Sequence, residues 1–507
     1  MHADALAAAA RIAAGETAAT QLLADTLTTI ARLNPALNAV CHLDAELGLR
    51  QAQAVDDALA ACGSDSERRA LLRQRPFLGV PLLLKDVGAP AADLPSTMGS
   101  RLLQRIQGAH GRGLHWPVDS TLVARYRAAG FVPFGRSTSP EMGISPSTEA
   151  RANGGPTRNP YGLGHSAGGS SGGAAAALAS GMVSIAHAND GAGSIRIPAS
   201  CCGLIGLKPS RGLMPSGPLV GESWGGLAIE HMLTRSVRDC AAALLASAGA
   251  DAGAPYAAPQ TLAALHAEMQ PALQAPQAAP RLRIALCDTY FEGDAVDAEV
   301  ACAARRFGAR LQALGHHVET ARPPLDTLGL IRPLVHVVAC GTAMAVDQLQ
   351  ARHGPIAPDE LEPTTWSAVE LGRRTSGADY LDHLGQVHAV GRRLAAFFER
   401  HDLLLTPVLA APPALLGRWA MSNPDFLDYR LGPAGLWRYS PFAPLANATG
   451  GASISLPAGT TATGLPIGAM LSGQLGDDVR LLALAAELEA AGAWTMDRPT
   501  LTQRQTR

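Results

Sequence analysis

Residues 164–181 read GHSAGGSSGGAAAALASG, and within them Gly168-Gly169-Ser170-Ser171-Gly172 fits the G-x-S-x-G pattern of a serine nucleophile on a strand-to-helix turn. Gly and Ser at this density also match a flexible linker. A linker separates cores, whereas the residues that follow, AAAALASG and MVSIAHAND, read as a helix and a strand ending at Asp190. The nucleophile reading needs a base, ordinarily a histidine oriented by an acid. His316, His317, His383 and His388 are available, but each falls on a helix or strand edge without a supporting motif. No H-E-x-x-H or Cys/His ligand spacing occurs, so no catalytic metal is expected.

The elements around these serines alternate between strand and helix. FLGVPLLLKD, residues 77–86, is a continuous apolar run of strand length, buried on both faces, with Lys85 near its end. DSTLVARYRAAG is a helix with Asp119 as N-cap and Gly130 as stop, feeding the strand FVPFG. Leu22, Leu23, Leu27, Ile30 and Leu33 keep helical spacing until Asn34-Pro35, and LRQAQAVDDALAAC forms a further helix. Residues 250–280, rich in Ala, Pro and Gln, form an excursion. RLRIALCD, ACAARRFGARLQALG and HHVETA then read strand–helix–strand. Long helices lead to the buried strand DLLLTPV, and ASISLP, PIGAMLSG and DDVRLLALAAELEAAG close the chain. The pattern is α/β, one large domain around a mixed sheet with helices on both faces. Its parts are a helical segment over about 1–65, a core over about 70–250, a variable substrate-side region over about 250–440, and closing strands and helix over about 441–495.

The 507 residues carry a net charge of −2 with both signs dispersed, which argues against a nucleic-acid or anionic-membrane surface. Eight scattered cysteines without a C-x-x-C pair read as reduced and buried, in a cytoplasmic protein. The N-terminus lacks the basic region of a signal peptide, and no stretch reaches membrane-spanning length free of charge or Pro.

GVPLLLKD, GGSSGG and GAGSIRIP occur in that order, accompanied by RLNPALNAV, GSRLL, SPEMG, GLKPSRG and ASISLP. Together they resemble the amidase signature family over nearly the whole chain, and HANDGAGSIRIPAS is most similar to its 6-aminohexanoate-cyclic-dimer hydrolase and aryl-acylamidase branch. The resemblance implies an amidase-signature fold and hydrolysis of carboxylic amides through an acyl-enzyme, without cofactor or metal. It makes Ser194 the nucleophile, Ser170 the bridging serine after a cis peptide, and Lys85 the base. Backbone N–H groups of Gly191, Ala192, Gly193 and Ser194 would form the oxyanion hole. Ala192 stands where most members have Gly, and would be strained if that position required positive φ.

The chemistry is coherent. A serine hydroxyl needs a base, and lysine serves only when neutral, which burial beside GVPLLL favours. Ser171 reads as a structural hydrogen-bonder, and Asp190 and Arg196 as scaffold ions. Met142 of SPEMG, Cys340 and the aromatic-rich residues 418–442, with Trp437 and Tyr439, are expected to line the substrate cleft, although the rings could equally pack a cover down. The expected substrate is a small apolar, acyl or aryl amide (a lactam oligomer, anilide or carbamate), handled by a monomer or homodimer. Two alternatives are the glutaminase subunit of a tRNA-dependent amidotransferase, disfavoured by SPEMG where an Asp-Glu-Phe-type motif is typical, and a non-catalytic scaffold.

Overall fold

The computed structural model describes residues 4–278, 280–495 and 499. Its centre is an eleven-stranded mixed sheet. From edge to edge it runs Val40–Leu43, Val132–Ser137, Pro81–Lys85, Ala186–Asp190, Ile229–Thr234, Ile205–Lys208, Ser453–Thr460, Pro466–Ser472, Leu403–Pro407, Arg283–Leu286 and His317–Thr320. Pro81–Lys85 lies parallel to both of its neighbours, whereas Ile229–Thr234 runs antiparallel to Ala186–Asp190. Side chains alternate faces along a strand, and every residue of Pro81–Lys85 and Leu403–Pro407 is buried, so both faces of the sheet are covered. The apolar runs read from the sequence therefore lie in the interior of the sheet, and the largely exposed HVET closes one edge.

Local boundaries differ in three places. Pro35 does not end its helix, which continues over Ala19–Leu37 and stops at Asn38 in a left-handed conformation. Ser120, not Asp119, caps Thr121–Ala128 by accepting from Val123 N–H; Asp119 instead pairs with Arg127. Within residues 250–280 the chain forms a helix, Leu262–Gln274, packed on the closing helix Asp478–Ala490.

The helix Thr327–His353 passes over the site and packs on Pro363–Arg374 and Gly377–Arg400. Its apolar stretch is long enough by composition to cross a membrane, yet most of it is buried inside the protein. All eight cysteines are free thiols, but only Cys201, Cys202, Cys240 and Cys287 are buried; Cys41 is exposed and the others are intermediate.

Candidate active site

Lys85 ends its strand fully buried, with no exposed surface. The guanidinium of Arg136, also buried, donates to the Lys85 carbonyl at 2.9 Å and fixes the strand end. Lys85 Nζ is hydrogen-bonded to Ser170 Oγ at 2.7 Å and to Asn189 Oδ1 at 2.6 Å. Asn189 is oriented in turn, because its Nδ2 donates to Val87 O at 2.8 Å and to Glu230 Oε1 at 3.3 Å. The antiparallel register sets Asn189 directly opposite Glu230. Lys85 N–H donates to His187 Nδ1 at 3.1 Å, which leaves His187 Nε2 as the N–H that donates to Glu230 Oε2 at 2.7 Å.

Burial lowers the Lys85 pKa to about 7, against the opposing pull of the Glu230 and Asp190 carboxylates. A substantial fraction of neutral amine, hydrogen-bonded to a hydroxyl, is therefore present near neutral pH. The Gly169–Ser170 peptide is cis, and Ser171 Oγ donates to Asn189 O at 3.3 Å, the supporting role its type implies.

Ser194 sits in the turn between the strand Ala186–Asp190 and the helix Arg196–Cys201. Asp190 builds this turn. Its Oδ1 accepts from Gly193 N–H at 2.6 Å, its Oδ2 from Ile195 N–H at 3.2 Å, and both oxygens accept from Arg196 at 2.9 Å. Burial opposes ionisation of Asp190, but the charge and hydrogen bonds of Arg196 outweigh it and hold the carboxyl well below the usual range. Gly193 N–H is thus committed to the carboxylate, which removes it from the four expected oxyanion donors. Gly193, with φ of 123°, takes the left-handed conformation, while Ala192 has no positive φ, so alanine fits there without strain.

Ser170 and Ser194 open onto one cavity of about 390 Å³, together with Asn189, Gly191, Met142 and Trp224. Ser194 and Trp224 also line a second, smaller chamber of about 50 Å³ under the helix Thr327–His353, walled by Ile331, Leu334 and Val335. Of the four expected substrate residues, Met142 lines the larger cavity and Trp437 the smaller. Cys340 lines neither, because its thiol turns toward Thr375 while the next residue, Gly341, faces the larger cavity. Tyr439 is buried, packs on Trp419 and accepts from Ala414 N–H through its hydroxyl at 3.2 Å. Trp419, Phe426, Tyr429 and Phe442 are buried likewise, so the aromatic-rich segment mainly holds the cover in place. Glu141, beside Met142, faces away and accepts from Glu362 N–H at 2.7 Å. Trp224, Asn189, His187 and Glu230 were not singled out from sequence. The last three lie on neighbouring strands whose pairing no local pattern declares.

The sequence profile described as Amidase matches residues 21–482. The chain is 34% identical over 507 residues to a 6-aminohexanoate-cyclic-dimer hydrolase of Pseudomonas sp. (strain NK87), covering 98% of this chain and 96% of that protein. A protein of the same name from Paenarthrobacter ureafaciens is also 34% identical over the same shares. Among solved structures, a 6-aminohexanoate cyclic dimer hydrolase complexed with substrate superposes with a TM-score of 0.85 at 33% identity, over 98% of each chain. A bacterial aryl acylamidase superposes with a TM-score of 0.82 at 26% identity, over 96% of this chain and 95% of the other.

Proposed function

The chain belongs to the amidase signature family and hydrolyses amide bonds, and from that premise we propose that it does so through Ser194, Ser170 and Lys85. The single observation that carries this reading is the buried 2.7 Å hydrogen bond between Lys85 Nζ and Ser170 Oγ, beside a cavity that Ser170 shares with Ser194.

Neutral Lys85 accepts the proton of Ser170 as Ser170 accepts that of Ser194, and Ser194 Oγ forms a bond to the amide carbon. The carbonyl oxygen becomes an oxyanion facing the N–H groups of Gly191, Ala192 and Ser194; Gly193 shapes the turn instead. Ser170 returns a proton to the amide nitrogen, the C–N bond breaks, and the amine leaves. Water then attacks the Ser194 ester with the same relay as base, releasing the carboxylic acid and restoring the hydroxyl.

The substrate class we assign is a small apolar amide: a lactam oligomer, an anilide or a carbamate. The apolar walls of both chambers and the branch of the family to which the relatives belong support that class. A cytoplasmic monomer or homodimer, folded as one domain around a sheet that draws strands from Val40 to Ser472, completes the reading.

The test is interception of the intermediate. With an anilide substrate, added hydroxylamine should divert product to the hydroxamate, and Ser194→Ala should abolish both products while remaining folded. Undiminished turnover by Ser194→Ala would refute the assignment.

A further inference from the structure

Glu230, on the strand Ile229–Thr234, lines the larger cavity beside Asn189, and two hydrogen-bonded arms tie its carboxylate to Lys85. One arm runs from Oε1 through the Asn189 amide to Lys85 Nζ, with steps of 3.3 and 2.6 Å. The other runs from Oε2 through the His187 ring to the Lys85 backbone N–H, with steps of 2.7 and 3.1 Å. Both arms begin at one carboxylate and end on one residue, so they close a ring.

Gly88 lies against that ring. Its φ of 79° is a left-handed conformation that favours glycine, and a Cβ there would collide with the Glu230 carboxylate and the Asn189 amide together. The loop that leaves the Lys85 strand thus keeps room for both groups.

Bracing alone does not call for a charge. A neutral acceptor would orient Asn189 and His187 as well, without the desolvation that a partly buried carboxylate costs. What the charge adds acts on the neighbour whose own charge changes during the proposed relay, which is Lys85. The other charges nearby are already engaged. Asp190 is held by Arg196, and Asp86 accepts from Thr97 and Gly99. Arg136 donates to the carbonyls of Lys85, Leu94 and Pro95. Tyr126 and His231, near His187, are kept uncharged by burial. Burial alone would carry the Lys85 pKa lower still, and Glu230 leads the carboxylates that pull it back.

We propose that Glu230 is a positioning residue whose charge, held at Lys85 through Asn189 and His187, compensates the proton that Lys85 takes up as Ser194 attacks. An oriented carboxylate serves a histidine base in the same way. This deepens the Ser194–Ser170–Lys85 mechanism and rests on it.

The charge makes a quantitative demand. Well below its pKa, Lys85 is protonated in the free enzyme and again in the transition state, so Glu230 stabilises both alike. Well above it, only the transition state carries the charge. Removing the carboxylate should therefore leave acid-side kcat/KM unchanged, move the limb to lower pH and lower the plateau by the matching factor. With an anilide substrate, Glu230→Gln should bring the limb about one unit below its position near pH 7 and the plateau down about tenfold. Glu230→Asp keeps the charge and should keep the limb near its wild-type position. Glu222→Gln removes a second carboxylate of the same cavity, one bound to Tyr256, and should leave the limb in place.

Melting curves check that each variant folds. Where Glu230→Gln does not, Glu230→Ala, which leaves room for cavity water at His187 and Asn189, takes the same measurement. Equal loss of the acid-side rate and the plateau, with the limb unmoved, would make Glu230 a brace alone and overturn the proposal while the relay stands. A limb moved as far by Glu230→Asp as by Glu230→Gln would overturn it too. A wild-type profile without this limb, together with an active Lys85→Arg, would instead remove the lysine base and this role with it.

Discussion

Lys85 Nζ and Asn189 Oδ1 lie 2.6 Å apart, and Asn189 is held in that orientation by Val87 O and Glu230. A neutral amine has two N–H donors and one lone pair. An acceptor fixed on one side turns the lone pair toward Ser170 Oγ, where a proton must arrive. In the proposed relay, Asn189 is thus a positioning residue for Lys85.

Asn189→Asp should shift the activity profile. A carboxylate beside Lys85 favours the charged amine and raises its pKa, while the loss of the amide donor to Val87 O and Glu230 sets the new carboxylate against the one at Glu230. The alkaline-going limb of kcat/KM, expected near pH 7 in the wild type from the Lys85 pKa, should move upward, with a lower plateau because the positioning by Asn189 is lost. An unmoved limb would mean that Lys85 is not the group reported by the profile.

Stability should carry the opposite signature of the same lysine. Its folded pKa is about 7 and its unfolded value is about 10.4, so between these the unfolded chain binds the extra proton. Wild-type stability therefore gains with pH across that window, by about 1.4 kcal/mol per unit. Lys85→Met lacks this term. Chemical denaturation of both proteins at several pH values between 7 and 10 should show their difference drifting in favour of the wild type.

The Asp190–Arg196 pair makes a further demand. Both side chains are wholly buried, and Arg196→Met would strand the carboxylate beneath the Ser194 turn, at a cost of about 3–5 kcal/mol. In the wild type the depressed carboxyl pKa contributes stability that is fully present above about pH 4 and is lost as pH falls toward the folded value. Denaturant midpoints of the variant should be lower at neutral pH and less sensitive to acid below it.

Two neighbouring aromatics should separate cleanly. Trp437 lines the smaller chamber, so Trp437→Ala should change substrate preference by about 1–3 kcal/mol. Tyr439 is buried away from both cavities, so Tyr439→Ala should lower stability by about 3–5 kcal/mol and leave relative substrate preference unchanged. Kinetics on two acyl chain lengths, with melting curves alongside, read both effects.

Trp224 stands between the two chambers with a positive φ of 53°. A Cβ at Gly341 would come within 2.6 Å of its ring, so Gly341→Ala should displace Trp224 and lower kcat/KM without unfolding the chain. Trp224→Ala should join the chambers and favour bulkier substrates over small ones by about tenfold.

Much of this site was legible because its parts are local. An uninterrupted apolar run of strand length ending in Lys85 reads as an interior strand, and the resemblance of GGSSGG and GAGSIRIP to the amidase signature motifs pointed to both serines. The His187–Glu230–Asn189 network was not legible, because it depends on which residues face each other across antiparallel strands, a register set by the whole sheet. The commitment of Gly193 N–H to Asp190 was hidden for a similar reason: small residues promise an available donor but do not say where it points. The aromatic-rich segment misled because closeness in sequence leaves open which rings face the cavity. Pro35 and Asp119 failed as boundary markers because each residue's neighbours supplied a better stop or cap.

In the proposed mechanism Ser194 attacks, driven by neutral Lys85 through Ser170. The most direct measurement is the site and pH dependence of fluorophosphonate labelling, read by peptide mass spectrometry. The relay predicts modification of Ser194, a labelling rate that rises through a limb near pH 7, and loss of that rate in Lys85→Arg, whose guanidinium cannot deprotonate. Label on Ser170, or undiminished labelling of Lys85→Arg, would contradict it.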